Sequence, residues 1–222
     1  MTRAAAILGA SGLVGSHCLA GLLESQCFAK VVALNRRELP RSNHPKLSQK
    51  VVDLWRISTA EFVGITDVFC ATGTTIAKAG SQQEFRRIDY ELPLSVARVA
   101  VSSGVQRFVL VSSVGADPSS KNFYLRAKGE LERDLSQLGF AGIYIFRPGL
   151  LLGRRAEFRA LESVATHFAP ALNLVLWGQF RRYRAVPARA VGRAMVSAAE
   201  AAVPGTFLYH YPQIVRMAGE SR

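Results

Sequence analysis

The sequence predicts an α/β fold: a doubly wound, mainly parallel sheet with a small C-terminal extension. Apolar strand patterns alternate with helical patterns from the first residues, and three glycines stand at the first strand-to-helix junction. The strands show no in–out alternation of apolar and polar residues, which is typical of strands buried on both faces of a helix-covered parallel sheet. These observations together favour the doubly wound class.

The elements follow one another in order along the chain. The predicted strands are Ala4–Leu8, Lys30–Leu34, Val51–Val52, Val68–Cys70, Arg107–Ser112, Ile143–Phe146 and Phe207–Tyr209. The predicted helices are Gly12–Ser25, Gln82–Ser103 with a bend near Pro93, Ser120–Leu138, Ala156–Phe168 and Arg189–Ala202. The polar segment Glu38–Gln49 predicts a loop. Since no repeat or linker divides residues 1–222, we expect a single domain in which residues 149–222 form the lobe facing the substrate.

Composition sets limits on compartment and partners. Three cysteines without C-x-x-C spacing and four scattered histidines predict neither a disulfide framework nor a metal site. The short apolar start is unlike a secretory signal, and no apolar run is long enough to span a membrane, so we expect a cytoplasmic protein.

The formal net charge of +12 allows three interpretations: a solvated arginine-rich surface, an anionic ligand, or nucleic acid. No nucleic-acid-binding motif accompanies the charge, so the expected partner is a small-molecule substrate rather than DNA or RNA.

The loop after the first strand has the spacing of a dinucleotide-binding turn. Such a turn needs residues that tolerate positive φ and a backbone that can approach a pyrophosphate, and the helix N-terminus then offers free N–H groups to the phosphates. This context predicts a Rossmann fold that binds a nicotinamide cofactor. The loop residues are Gly9, Ala10, Ser11, Gly12, Leu13, Val14 and Gly15.

The end of the second strand indicates which cofactor. NAD-selective domains carry an acidic residue here that binds the ribose 2′-hydroxyl. This chain instead reads Asn35-Arg36-Arg37. Guanidinium groups bind a 2′-phosphate through charge-assisted hydrogen bonds, so the sequence predicts NADP(H), although two surface arginines remain the alternative interpretation.

A Y-x-x-x-K pair, Tyr124 and Lys128, opens the helix after the fifth strand. Residues four apart share one helical face, so the phenol and the ammonium can enter the same cleft. The preceding strand ends at Ser112-Ser113, and ligands gather at the carboxyl ends of parallel strands. A serine, a tyrosine and a lysine are therefore expected beside the nicotinamide.

With these motifs the chain resembles the atypical short-chain dehydrogenases/reductases, and especially their Tat-interacting protein group. The resemblance runs from Ile7 to about Met195. Its motifs are GASGLVG (9–15), LNRR (34–37), CATGTTIAKAG (70–80), VSSVGAD (111–117), YLRAKGE (124–130) and FRPGLLLG (146–153).

The resemblance implies roles for individual residues. Ser113 would hydrogen-bond the substrate carbonyl oxygen, Tyr124 would donate a proton to it, and Lys128 would bind the nicotinamide ribose and support the tyrosine. Ser112 remains the alternative to Ser113. The further cofactor contacts implied by the resemblance are Asp53, Leu54, Ala71, Thr72, Gly73, Thr74, Pro148, Leu150 and Arg155.

The expected function is therefore an NADPH-dependent oxidoreductase acting on a small carbonyl or alcohol. A non-catalytic NADPH-binding regulatory protein is the alternative. The chain lacks the N-N-A-G motif of better-known relatives, so their asparagine proton relay is not carried over. Helices Gln82–Ser103 and Ser120–Leu138 could pair in a homodimer, and a monomer fits equally well.

Overall fold

The structure is a computed structural model that describes residues 3–40, 43–153 and 178–219. Its strands are β1 (Arg3–Leu8), β2 (Phe28–Asn35), β3 (Leu47–Val51), β4 (Asp67–Cys70), β5 (Arg107–Val111), β6 (Gly142–Phe146), β7 (Leu151–Leu152), β8 (Val186–Pro187) and β9 (Gly205–Tyr209). Its α-helices are α1 (Leu13–Glu24), α2 (Ile76–Ala79), α3 (Gln82–Arg86), α4 (Leu92–Ser102), α5 (Phe123–Leu135), α6 (Ala188–Ala201) and α7 (Tyr211–Met217).

Within the described residues, seven strands form one parallel sheet in the order β3-β2-β1-β4-β5-β6-β9. The order reverses between β1 and β4, which opens a crevice at the carboxyl ends of these strands. The short strands β7 and β8 pair separately, near the end of β6. The predicted fold class is confirmed.

Helices cover both faces of the sheet because successive strand residues are apolar on either side. Ile7 and Phe69 pack with α1, α6 and α7 on one face, whereas Leu8 and Val68 pack with α4 and α5 on the other. All four side chains are at most 1% exposed. A fully buried side chain of this size stabilises a fold by about 1.5–3 kcal/mol, so both layers hold the sheet in place.

The bend predicted near Pro93 takes the form of a π-helical turn, Arg87–Glu91, between α3 and α4. In this turn the Leu92 N–H donates to the Arg87 carbonyl oxygen, five residues back. Proline has no N–H to donate, so Pro93 cannot bond to the carbonyl of Asp89 in the α-helical register. The turn is therefore a local consequence of the proline.

Some boundaries differ from the sequence predictions. Strand β3 begins at Leu47, inside the predicted loop Glu38–Gln49. Its polar residues are half-exposed, so a search for apolar strand patterns does not find it. Helix α7 was not predicted. The predicted helix Ala156–Phe168 lies outside the described residues. Among the described helices, none is both long enough and apolar enough to cross a membrane.

Candidate functional site

The glycine loop forms a tight turn between β1 and α1. Gly9 has a φ of 77°, and its carbonyl oxygen accepts the Gly12 N–H at 2.9 Å. A Cβ on Gly15 would lie 2.0 Å from the Gly9 oxygen, and a Cβ on Gly9 would lie 2.6 Å from the Ala71 oxygen. Glycine is thus required at both positions, for conformation and for close approach.

The N-terminus of α1 is open to an anion. Gly12 is its N-cap, and among the described residues no side chain caps it. Its first turn carries no acidic residue. Free N–H groups and the positive end of the helix dipole suit a phosphate, so the loop fits the pyrophosphate of a dinucleotide. The remaining predicted loop residues, Ala10, Ser11, Leu13 and Val14, lie in the same turn and first helical residues.

Asn35 ends β2 beside this loop. Its side chain is 7% exposed, and its Nδ2 has no hydrogen-bond partner among the described residues. A buried donor without a partner is costly, which makes this amide a fitting contact for a polar ligand. Arg36 and Arg37 follow and are exposed. Both arginines are therefore accessible to solvent at the carboxyl end of β2.

Asp53 and Leu54 have local structural roles. The Asp53 carboxylate accepts the Trp55 N–H at 3.0 Å and lies 3.8 Å from the Arg56 guanidinium. Leu54 is buried in the apolar layer beneath α4. The predicted contact of these residues with the adenine stays a prediction.

The loop after β4 joins the glycine loop to the rest of the site. Ala71 and Thr72 contact Gly9, as the close approach of their backbone atoms shows. Further along, the Thr74 N–H donates to Oδ2 of Asp89 at 2.7 Å. This loop therefore bridges β1 and the π-helical turn.

Asp89 forms a buried ion pair with Lys128, with Oδ1 and Nζ 2.6 Å apart. Both residues are at least 95% buried. Burial alone would lower the pKa of Lys128, but the negative charge of Asp89, helped by Tyr124 and Cys70, raises it above its ordinary value. The lysine is thus held as a cation inside the protein. Sequence reasoning overlooked Asp89 because nothing in its local pattern marks it.

Tyr124 lies one turn before Lys128 on α5, half-buried, with its ring 5.4 Å from that of Phe85. The two residues are four apart on α5, so they lie on the same face of this helix. The expected shared helical face is therefore present.

The two candidate serines have different surroundings. Strand β5 ends at Val111, one residue before the predicted end, so both serines lie in the loop that follows it. Ser112 is 6% exposed and donates to the Glu132 carboxylate, which also receives the Arg147 Nε at 3.0 Å. Ser113 is half-buried, and its Oγ has a long 3.4 Å contact to the Val114 oxygen. Ser112 is occupied by a buried cluster, which leaves Ser113 the better placed to meet a ligand.

Ser113 lies in a loop that packs on α5. A Cβ on Gly129 would lie 2.2 Å from the Asp117 carbonyl carbon, and the Asp117 N–H donates to the Leu125 oxygen at 3.1 Å. The loop is therefore pressed against the helix that carries Tyr124 and Lys128.

The segment after β6 is bonded to the loop after β5 and to β8. The buried Pro148 accepts the Val114 N–H at 2.9 Å, and the exposed Leu150 accepts the Val186 N–H at 2.8 Å. Predicted contact residue Arg155 lies outside the described part of the chain. Among the described residues, no group of histidines, cysteines and carboxylates could hold a metal.

Comparison with known proteins identifies the family. The HIM1 family model matches residues 38–177, well over half of the chain. The chain belongs to the HIM1 family. Curated relatives include the protein fmp52 of Emericella nidulans, 33% identical over 90% of this chain and 88% of that protein. Another is FMP52-2 of Scheffersomyces stipitis, 38% identical over 81% of this chain and 83% of that protein.

Solved structures share the fold of this HIM1-family chain. MoeE5, in complex with UDP-glucose and NAD, is 20% identical with a TM-score of 0.69, over 97% of this chain and 81% of MoeE5. A putative NAD-dependent epimerase/dehydratase from Bacillus halodurans is 21% identical with a TM-score of 0.69, over 99% of this chain and 100% of that one. The fold is thus that of epimerase/dehydratase-type Rossmann proteins.

The expected cytoplasmic location of the HIM1-family chain is wrong. The fungal relatives are named mitochondrial proteins. Free cysteines are typical of a reducing compartment, but they do not distinguish the cytoplasm from another such compartment.

Proposed function

We propose that this protein is an NADPH-dependent oxidoreductase of the short-chain dehydrogenase/reductase type, acting on a small carbonyl or alcohol. One observation carries the proposal. The Tyr124–Lys128 pair on α5 is connected through Asp89 and Thr74 to the loop that touches Gly9. These contacts support one shared crevice, at the carboxyl ends of the strands, for the predicted catalytic groups and the predicted cofactor loop.

The residues around this crevice fit a nicotinamide dinucleotide. The uncapped α1 N-terminus suits its pyrophosphate, and the unpartnered Asn35 amide suits a polar group of the adenosine half. The loop from Ala71 to Thr74, together with Pro148 and Leu150, would line the nicotinamide half. When bound, the cofactor supplies or accepts hydride at its nicotinamide ring. MoeE5 is a protein of this fold whose structure contains NAD.

Selectivity for NADPH rests on the arginine pair. Arg36 and Arg37 are exposed at the end of β2, and Glu38 is the first acidic residue beyond them. Two guanidinium groups attract the two additional negative charges of a 2′-phosphate and can bind its oxygens through paired hydrogen bonds. The same groups offer little to a ribose hydroxyl.

The side chains on α5 and beside β5 would perform the proton chemistry. Tyr124 would donate its phenolic proton to the substrate carbonyl oxygen in reduction and accept it back in oxidation. Ser113 would donate a hydrogen bond to the same oxygen and fix its position. Lys128, already charged, would bind the ribose hydroxyls and stabilise negative charge that develops on the phenol.

The lobe formed by residues 149–222 would complete the substrate side, with Arg155 as a further contact. The resemblance to the Tat-interacting group keeps the non-catalytic NADPH-binding protein as the outcome to test against.

Replacement of the phenol tests the mechanism. A panel of small aldehydes and ketones is screened for NADPH oxidation with the wild type, then with Tyr124→Phe. We expect Tyr124→Phe to lower kcat by about 10²–10⁴-fold because the proton donor is lost. NADPH affinity should remain within a few-fold of the wild type. Tyr90→Phe, a half-buried tyrosine on the neighbouring π-helical turn, serves as control and should keep its activity.

Unchanged turnover in Tyr124→Phe would contradict the mechanism. Tight NADPH binding by the wild type, with no oxidation by any compound, would instead identify the non-catalytic alternative.

A further inference from the structure

The Asp89–Lys128 ion pair has features that its structural role does not require. Asp89 is 1% exposed and Lys128 is 5% exposed, so both charges are removed from water. Desolvation of two ions is costly, and an apolar pair of the same volume is often as stable. A buried pair at this position therefore calls for an explanation in terms of the site.

We propose that Asp89 is a positioning residue, whose carboxylate fixes the Lys128 ammonium beside Tyr124 and keeps it charged. The positioning role rests on the proposed function, whereas the contact between Asp89 and Lys128 is present without a cofactor.

The carboxylate is itself held from a second direction. Oδ2 accepts the Thr74 N–H at 2.7 Å, while Oδ1 faces Lys128 at 2.6 Å. Gly73 lies so close that a Cβ there would be 3.3 Å from Oδ1. Asp89 thus ties the lysine on α5 to the loop after β4, the same loop that contacts Gly9.

The π-helical turn delivers the carboxylate to this point. Asp89 is the central residue of Arg87–Glu91, and Pro93 prevents an α-helical bond to its carbonyl. An extra residue in a helical turn redirects the side chains that follow, and such turns are frequent at functional sites. The π-helical turn therefore places the Asp89 carboxylate against Lys128.

The charged and titratable groups around Lys128 decide its protonation. Asp89 faces it from the π-helical turn, Tyr124 from its own helix and Cys70 from the end of β4. Burial raises the pKa of the Cys70 thiol and so favours its neutral form, and the Asp89 carboxylate is the strongest influence that favours the charged lysine. Without it, burial would dominate and the pKa of Lys128 would fall below its ordinary value.

A purely structural ion pair is the competing explanation, and the chain contains a matched example. Asp67 is also fully buried, with its carboxylate bonded to the Arg3 Nε at 3.1 Å and 3.5 Å from the Arg107 guanidinium. It begins β4, at the opposite edge of the sheet from the crevice. Asp67→Asn therefore removes a buried carboxylate of the same kind without touching Lys128.

The test is the titration of Lys128 by ¹³Cε NMR in the full-length protein, labelled at its six lysines. Lys128→Arg keeps the charge and assigns the Lys128 resonance. In the wild type we expect the ammonium to titrate above about pH 10.4, the ordinary value. In Asp89→Asn the midpoint should fall by at least one unit, a tenfold loss of proton affinity, and Asp67→Asn should leave it unchanged.

Three results would overturn the inference: a wild-type Lys128 that titrates below its ordinary range, an unchanged midpoint in Asp89→Asn, or an equal shift in Asp67→Asn. The wild-type measurement stands even if Asp89→Asn fails to fold. A parallel NADPH titration across alkaline pH extends the test to the site. We expect affinity in Asp89→Asn to weaken as pH rises, whereas the wild type stays constant.

Failure of the proposed function gives a different pattern. If no variant and no wild-type sample binds NADPH, the cofactor proposal falls, while the ¹³C titration still decides whether Asp89 holds the lysine charged.

Discussion

At the scale of single residues, the glycines of the first loop have different tasks. A Cβ on Gly15 would lie 2.0 Å from the Gly9 carbonyl oxygen, a contact with backbone that cannot move away. A Cβ on Gly12 would lie 3.1 Å from the same oxygen, at a residue with an extended backbone that alanine adopts. Gly15 is therefore structural, whereas Gly12 stands at the open helix end proposed to bind the pyrophosphate.

Alanine substitution separates these tasks. We expect Gly15→Ala to lower the free energy of unfolding by about 3 kcal/mol or more, because the added methyl overpacks the turn. Gly12→Ala should cost about 1 kcal/mol or less. Urea unfolding of both variants measures the difference, and equal destabilisation would contradict the assignment.

At the level of residues, the sequence reveals a feature where its determinants are local. The spacing of Gly9, Gly12 and Gly15 within one turn reveals the loop, and the four-residue spacing of Tyr124 and Lys128 reveals the pair. Asp89 was missed because its partner Lys128 lies on another helix, distant in sequence. The burial of Ser112 depends in the same way on Glu132 of α5.

At the scale of elements, the junction of β9 and α7 contains a histidine with a perturbed pKa. Burial, and then the positive charges of Arg147 and Arg182, lower the pKa of His210 below its ordinary value. The unfolded chain therefore binds this proton more readily than the folded one. His210 should reduce the stability of the fold as pH falls through and below about 6.5.

The prediction is a smaller acid sensitivity in His210→Gln. We expect the loss of thermal stability between about pH 7.5 and pH 5.5 to be smaller in this variant than in the wild type. His17→Gln, at an exposed position on α1, should keep the wild-type dependence. If His210→Gln and the wild type lose the same stability, the junction is not acid-sensitive.

Element prediction succeeded for the long, apolar segments and for the bend at Pro93. It failed for β3, because Ser48, Gln49 and Lys50 give the strand a polar, half-exposed pattern at the edge of the sheet. It also failed for α7, whose seven residues are too few to establish a helical period. The two-residue strands β7 and β8 form only because they pair with each other, and residues so far apart in the sequence give no local strand pattern.

At the scale of the whole molecule, contacts run without a gap from the glycine loop to α5. Gly9 touches the loop after β4, that loop bonds Asp89, and Asp89 holds Lys128. The doubly wound topology makes this possible, since it brings the carboxyl ends of β1, β4 and β5 to one edge. A homodimer through α4 and α5 stays a prediction.

Part of the net charge of +12 would have a specific role if it binds an anionic ligand. Arg36 and Arg37 are the candidates for the 2′-phosphate, and cofactor preference is therefore the central claim. Arg98 and Arg216 are likewise exposed but lie on α4 and α7. Their joint replacement removes the same charge elsewhere.

A fluorescence titration with NADPH and with NADH tests this claim most directly. We predict tighter binding of NADPH by the wild type, weakened at least tenfold, or about 1.4 kcal/mol, in Arg36→Ala/Arg37→Ala. NADH binding should change little, and Arg98→Ala/Arg216→Ala should retain the wild-type preference. Equal affinity for the two cofactors, or a preference that survives loss of the arginine pair, would contradict the account.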